Sequence, residues 1–115
     1  MRRFKMLVCS EPCGGRADEF NEWYTNQHLD DLVALPGFTS AQRFKLHSVS
    51  MGTTLNKDLA IYDVETDDPD WVIENMFAAR DTPAMPMSPA FNIDPTSVML
   101  YEEATGVVFA KGSKA

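Results

Sequence analysis

Four strand-like segments of this 115-residue sequence carry apolar side chains on both of their faces. The first segment has Met6 and Val8 on one face and Leu7 on the other, and the last has Val98 and Met99 on opposite faces. A sheet with one face in water alternates apolar and polar residues. These strands therefore need cover on both faces, which a single layer of helices does not supply.

Two helical patterns separate the strands. The first begins at Asp18, a plausible N-cap, and runs to about Leu35, where Pro36-Gly37 ends it. The second begins near Asp68-Pro69, where proline suits the first turn. The predicted strands are 4–10, 38–46, 58–65 and 97–103. The order β-α-β-β-α-β predicts an α+β, ferredoxin-like chain with a four-stranded antiparallel sheet and both helices on one face.

The other face of the sheet needs a partner. Leaving it bare would expose apolar surface at about 25 cal/mol per Å². A second copy packed sheet on sheet in a two-fold dimer is the simplest cover, and a tail folded back over the face is the alternative. We expect one domain over 1–105, with a tail over 106–115 that packs on the domain or on the dimer mate.

Composition excludes several classes of function. Ten Lys and Arg against seventeen Asp and Glu give a formal net charge of −7, which argues against nucleic-acid binding. No apolar run approaches the roughly 18 residues of a membrane-spanning helix, and the apolar stretch near the start is too short for a signal peptide. Cys9 and Cys13 make no disulfide framework. We therefore expect a cytoplasmic protein.

His28 is the sharpest candidate for chemistry. It lies between Tyr24 and Leu32 on the apolar face of the first helix. A buried neutral imidazole there could exchange a proton near neutral pH, although a core histidine with a satisfied hydrogen bond has the same pattern. Tyr24, one turn earlier, would present its hydroxyl to the same cavity as a hydrogen-bond donor, or would only pack. We take both as candidate catalytic residues.

Apolar side chains around His28 predict a binding pocket. The proline-stiffened segment 85–91 would either close over an apolar ligand between helices and sheet or cap the core. The expected walls are Phe20, Trp23, Phe44, Met76, Phe77, Met85 and Met87.

Motifs for metals and cofactors are missing. The two cysteines and two distant histidines do not have zinc spacing, and no glycine-rich phosphate loop is present. We expect no metal and no cofactor. Arg43, in a strand covered on both sides, is expected to pair with a carboxylate such as Asp63 or Glu102.

The run EFNEWY-x3-HL-x6-PGF over 19–38, followed by AQRF at 41–44 and MPMSPA at 85–90, resembles the EthD-like family of the dimeric α+β barrel superfamily. The resemblance covers about 4–103. It implies a ferredoxin-like subunit, a sheet-on-sheet homodimer and a pocket between sheet and helices. Relatives include muconolactone isomerases, polyketide cyclases and cofactor-independent monooxygenases. In several of them a histidine of the first helix is the acid/base, and His28 matches it.

The sequence lacks a second histidine between the first helix and the second strand, which counts against a two-histidine mechanism. Residues and resemblance together predict a small cofactor-independent enzyme. It would perform proton transfer, as isomerisation, cyclisation or elimination, on an aromatic, lactone or polyketide-like intermediate. The alternative is a non-catalytic module that binds an apolar small molecule or assists a catabolic pathway. A haem-binding protein of the same superfamily ranks third.

Overall fold

A computed structural model describes residues 1–54 and 56–112. Four strands form one antiparallel sheet in the order β2-β3-β1-β4, with β1 Arg2–Ser10, β2 Phe38–Lys45, β3 Asp58–Thr66 and β4 Ser97–Glu102. A long first helix comprises Ala17–Trp23, Tyr24–His28 and Leu29–Val33, and the second helix is Pro69–Ala79. The predicted ferredoxin-like order is confirmed.

One face of the sheet forms the core with the helices. Met6 of β1 lies beside Tyr62 of β3, and both are fully buried. Phe20 and Leu32 of the first helix and Val72 of the second helix belong to the same buried cluster. The predicted assignment of β1 side chains to the two faces of the sheet is confirmed, because Met6 and Val8 are buried while Leu7 points to the other face.

The predicted arrangement of side chains on β2 is wrong at Phe38, because the strand contains a bulge. Strict alternation predicts that Phe38 lies on one face of the sheet and that Ala41 and Arg43 lie on the other face. The pairing with β3 shifts between Phe38 and Ser40, and this inserts one residue into the ladder. Phe38 consequently turns to the helix side, where its ring lies 6.1 Å from that of Tyr62 and is 7% exposed.

The second helix begins as its sequence predicts. The Oδ1 atom of Asp68 accepts a hydrogen bond from the backbone N–H of Trp71 at 3.1 Å, and Pro69 occupies the first position. Before the first helix, Arg16 rather than the expected Asp18 is the cap residue, without a side-chain bond. None of the helices in the described part of the chain is long and apolar enough to cross a membrane.

The sheet face turned away from the helices has no cover within the described chain. Leu7 and Ile61 lie side by side on this open face and are partly exposed, and Tyr101 is 57% exposed. In the tail, Val107 and Val108 are 79% and 90% exposed, so neither side chain covers the open face. Packing of the tail on a dimer mate stays a prediction.

Candidate functional site

A π-helical turn over Tyr24–His28 places His28 in the core. Buried residues of the first helix recur every four positions, at Phe20, Tyr24, His28 and Leu32. On an α-helix with 3.6 residues per turn, each step of four drifts by about 40° around the axis. A π-turn holds more residues per turn and absorbs this drift, so all four side chains stay on the sheet side.

The imidazole of His28 is enclosed by aromatic rings. It stacks on Trp23 with ring centroids 4.4 Å apart and an interplanar angle of 24°. The ring of Tyr24 meets it edge-on at 4.9 Å. His28 is 5% exposed, and its Nδ1 atom is buried without a hydrogen-bond partner among the described residues. Burial lowers the pKa of His28 to about 4, so the ring is neutral at pH 7.

A cavity of about 80 Å³ adjoins His28. It lies between the helices, the strands β1 and β4, and the proline-rich segment that joins the second helix to β4. Its walls are apolar except for His28, Arg80 and Thr96. The apolar lining residues are Val8, Leu32, Met76, Phe77, Met85, Met87, Phe91, Ile93 and Val98.

Five of the residues predicted for the site line this cavity, namely His28, Met76, Phe77, Met85 and Met87. The proline-rich segment both closes the cavity and supplies core residues, because Met85 and Ala90 are buried. Its position is held by a bond of 3.2 Å from the indole Nε1 of Trp23 to the carbonyl oxygen of Pro86.

Three of the predicted wall residues lie elsewhere. Phe20 and Trp23 form an aromatic cluster behind His28, in which Phe91 stacks on Phe20 at 6.2 Å. Phe44 pairs with Leu59 on the open face of the sheet, opposite to the cavity, and is 41% exposed. The alternation of β2 after the bulge explains this, because Arg43 takes the helix side.

Tyr24 does not line the cavity. Its ring supports His28, and its hydroxyl accepts a hydrogen bond of 3.3 Å from the hydroxyl of Tyr62. Burial raises the pKa of both phenols, so both are neutral. The expected role of Tyr24 as a donor to a ligand stays a prediction, and it requires a ligand to reach beyond the residues that line the cavity to the Tyr24 hydroxyl.

Arg43 connects the first helix to the edge of the sheet through hydrogen bonds and an ion pair. Its guanidinium lies 3.2 Å from Oδ1 of Asp58 and donates to Oδ1 of Asn21 and Oγ1 of Thr25, both at 2.9 Å. It also lies 4.7 Å above the ring of Tyr24. These contacts fix the face of the helix that carries His28.

The expectation that Arg43 pairs with Asp63 or Glu102 is wrong. Asp63 accepts from Lys5, and Glu102 pairs with Arg2 at 2.8 Å. Both carboxylates lie beyond reach of Arg43, because the register places Asp58 beside its end of β2. Each bound cation lowers the pKa of its carboxyl group.

A larger depression of about 360 Å³ lies at the end of the sheet, beside Lys5, Asp63 and Tyr101. Most of its charges are paired, since Lys5 binds Asp63 and Arg3 lies 3.3 Å from Glu65, while Glu103 takes part in none of the ion pairs among the described residues. This depression is continuous with the open face of the sheet and holds no unpartnered buried group among the described residues.

Sequence reasoning assigned no role to Arg80, and it missed the lining contributed by β1 and β4. An arginine among apolar residues at the end of the second helix was the available signal for Arg80. Among the described residues, no group of three or more His, Cys, Asp or Glu side chains could hold a metal ion.

Solved structures with the same fold come from several bacteria. MhuD, a haem degrader of Mycobacterium tuberculosis with two haems bound in its active site, is 17% identical, with a TM-score of 0.59 over 91% of this chain and 99% of that one. A candidate monooxygenase from Shewanella loihica is 14% identical, with a TM-score of 0.57 over 92% and 99%. An EthD family protein from Bacillus halodurans is 16% identical, with a TM-score of 0.50 over 90% and 99%.

No protein-family model matches the sequence, and no curated protein matches it significantly. The expected resemblance to EthD-like proteins of the dimeric α+β barrel superfamily is confirmed for the fold.

Proposed function

We propose that this chain, a dimeric α+β barrel subunit by its fold, binds a small aromatic or lactone-like molecule beside His28 and transfers a proton on it. One observation carries the proposal. His28 lines an apolar cavity, and its buried Nδ1 atom has no hydrogen-bond partner within 1–54 and 56–112.

The unpaired nitrogen favours a functional histidine over a purely structural one. Buried polar side chains in folded proteins almost always have hydrogen-bond partners. Leaving one unpaired costs about 1–3 kcal/mol. Among the described residues nothing offsets that cost at His28, and a ligand in the adjoining cavity is the partner that we propose for its ring. The cavity of about 80 Å³ is open on one side, so it would take one ring of a compact molecule, and this favours such a molecule over an extended polyketide.

The chemistry follows from the protonation state of His28. Its neutral imidazole can accept a proton from a carbon next to a carbonyl group, which leaves an imidazolium and an enolate. Trp23, stacked at 4.4 Å, stabilises the cationic ring through its π face. Because burial disfavours the charged ring, the proton returns readily. Return of the same proton to the same carbon leaves the ligand unchanged. If a solvent deuteron replaces the proton on the imidazolium before the return, the result is exchange, and return to a different atom of the ligand gives isomerisation.

The test uses 2-tetralone, an apolar bicyclic ketone with exchangeable hydrogens beside its carbonyl group. In D2O at neutral pH we expect the protein to accelerate loss of these hydrogens in proton NMR spectra. His28→Phe should reduce the accelerated rate by at least about a hundredfold, the usual share of a general base. His47→Gln, which changes the exposed histidine, should retain it. Equal exchange by wild type and His28→Phe would overturn the proposal.

Binding without turnover is the second candidate function, and the lowered pKa of His28 favours it, since a base of pKa about 4 is weak at neutral pH. This candidate predicts saturable binding of 2-tetralone with no accelerated exchange. His28→Gln, which keeps a polar group, should then leave the affinity within about threefold, whereas proton transfer requires the imidazole itself.

The open face of the sheet supports a homodimer as part of the same proposal. Leu7, Ile61 and Met99 lie together on it without cover from the described chain. A contiguous apolar surface of this kind marks an interface in most proteins. A second copy related by a two-fold axis would bury it sheet on sheet.

A haem, which the Mycobacterium tuberculosis protein binds, does not fit the described cavity. A cavity of about 80 Å³ would take one ring of a ligand, whereas a haem is a macrocycle of four pyrrole rings. Arg80 is the only cation on the described walls, whereas the two propionates of a haem would need more. We therefore assign no haem chemistry to this chain.

A further inference from the structure

Arg80 is the one charged side chain on the described walls of the His28 cavity. It follows the last residue of the second helix and is partly buried. Around it the lining is apolar, with Phe77, Met85 and Ile93 among its neighbours on the wall. Because Arg80 is only partly buried, its guanidinium keeps part of its water shell, and an anion bound in the cavity would replace water as its partner.

No carboxylate compensates Arg80 within the described part of the chain. The five ion pairs found there involve other residues, and no Asp or Glu lines the cavity. The neighbouring residue Asp81 is exposed and takes part in none of these pairs. Arg43 shows the contrast, because its guanidinium is held by Asp58 and two side-chain oxygens.

The backbone around Arg80 is held in an unusual shape. Asp81 has a φ of 60°, the only non-glycine residue with positive φ in the described chain. Its N–H donates to the carbonyl oxygen of Met85 at 3.0 Å, while the N–H of Thr82 donates to that of Ala79 at 3.1 Å. These bonds close a tight turn, and Arg80 and Met85 form a parallel bridge across it. The turn presents both side chains to the same cavity.

We propose that the ligand of this cavity carries one carboxylate, which pairs with Arg80 while its apolar ring lies against the methionine and phenylalanine side chains. This inference rests on the proposed function and names the substrate class, a small aromatic acid. A guanidinium binds a carboxylate through two parallel hydrogen bonds, which gives orientation as well as affinity. The net charge of −7 repels anions at long range, so the selectivity has to arise locally at Arg80.

An acid bound in this way also acts on His28, because both residues line one cavity. A negative charge near the imidazole favours its protonated form. The carboxylate would therefore make His28 a stronger base than it is in the free protein. Proton transfer would then be faster on an acid than on its neutral analogue.

The test is calorimetric titration of the full-length protein with benzoate and 2-naphthoate, each compared with the corresponding amide. We expect the acids to bind at least about tenfold more tightly than the amides, as befits a hydrogen-bonded charge pair. Arg80→Gln should remove this preference while the amides bind as before. Arg80→Lys should retain part of it. Arg16→Gln is the control, since it makes the same change of charge at a residue that pairs with Glu19 and does not line the cavity.

The possible results separate this inference from the proposed function. Equal binding of acids and amides, unchanged in Arg80→Gln, would overturn the role of Arg80 and leave the apolar site intact. A loss of acid binding in Arg16→Gln equal to that in Arg80→Gln would also overturn it, because general charge would then explain the preference. If neither the acids nor the amides bind, both proposals fail.

Discussion

His28 is buried and its Nδ1 atom has no hydrogen-bond partner among the residues that the structure describes, which affects the stability of the chain as well as its chemistry. A residue kept for ligand binding often lowers the stability of the fold that carries it. At His28 the loss of stability would arise because the imidazole is removed from water, while Trp23 and Tyr24 contact it through their rings and not through hydrogen bonds.

Replacement of His28 by phenylalanine should not destabilise the protein. The new ring can keep the stack on Trp23 and removes the unpaired nitrogen, while the adjoining cavity accepts its extra volume. We expect the free energy of unfolding in urea at pH 7.5 to stay equal or to rise by up to about 2 kcal/mol. Leu32→Ala, a change at a buried neighbour, should lower it by about 2–5 kcal/mol. A loss above about 1 kcal/mol in His28→Phe would identify His28 as a structural core residue.

The stability of the wild type should fall with acid in a window set by His28. Its pKa is about 4 in the folded chain, below the ordinary value of 6.5 for histidine. Above pH 6.5 neither state binds the proton and the full stability is present. Between pH 6.5 and 4 only the unfolded chain binds it, so the free energy of unfolding falls by about 1.4 kcal/mol per pH unit, about 3 kcal/mol in all.

Urea titrations at pH 5.0 to 7.5 check this prediction. His28→Phe should lose most of the slope, and His47→Gln should keep it. The carboxyl groups of Asp63 and Glu102, whose pKa values are lowered, add their own slope only at lower pH, near and below their ordinary values of 3.8 and 4.5. A slope that survives in His28→Phe would show that the histidine does not titrate as described.

At the scale of elements, the junction between the two helices depends on Gly37. This residue follows the first helix, has a φ of 93°, and lies against Val72 of the second helix. A Cβ atom at this position would come within 2.7 Å of Cγ2 of Val72, which is 2% exposed and cannot move aside easily. The missing side chain at Gly37 lets the turn after Pro36 pack directly against the second helix.

Gly37→Ala should therefore destabilise the chain by about 2–4 kcal/mol, from backbone strain and overpacking together. Gly52→Ala is a matched control, because Gly52 has a φ of 83° with nothing within 4 Å of the added Cβ atom. It should cost only about 1–2 kcal/mol from the backbone. Thermal and urea unfolding of both variants measure the difference, and equal losses would contradict the close contact.

Patterns of apolar residues and helix signals predicted most of these elements but not their irregularities. The four strands and two helices lie within a few residues of the predicted bounds. The bulge after Phe38 and the π-turn at His28 each add one residue to a regular repeat, and hydrophobic spacing alone does not distinguish them from regular structure. The partner of Arg43 was missed because it depends on strand register.

The site was predicted in part for the same reasons. His28 and the methionines of the proline-rich segment line the cavity as expected, because helix spacing and proline content point to them. Phe44 lies on the other face, since its side depends on the register after the bulge. The position of Arg80 in the cavity wall could not be predicted, because it depends on the conformation of the turn that follows the second helix.

At the scale of the whole molecule, the open face of the sheet determines the assembly we propose. Ile61 lies next to Leu7 near its centre. Light scattering on the wild type should give twice the 12.9 kDa mass of one chain. Ile61→Glu would bury an unpaired charge in the interface and should give the mass of one chain.

Trp71→Glu is the control for this prediction. Trp71 is a large apolar residue, 48% exposed, on the second helix and away from the open face. The variant should keep the mass of two chains. A wild-type mass of one chain at micromolar concentration, or a dimer that survives Ile61→Glu unchanged, would contradict sheet-on-sheet assembly.

A crystal structure of the protein with 2-tetralone tests the central claim, that His28 and its cavity form a ligand site, most directly. We predict that the ketone occupies the cavity with its carbonyl group or the adjacent carbon within about 3.5 Å of a ring nitrogen of His28. A structure in which 2-tetralone binds only outside this cavity, or in which the cavity stays closed at saturating ketone, would contradict the claim.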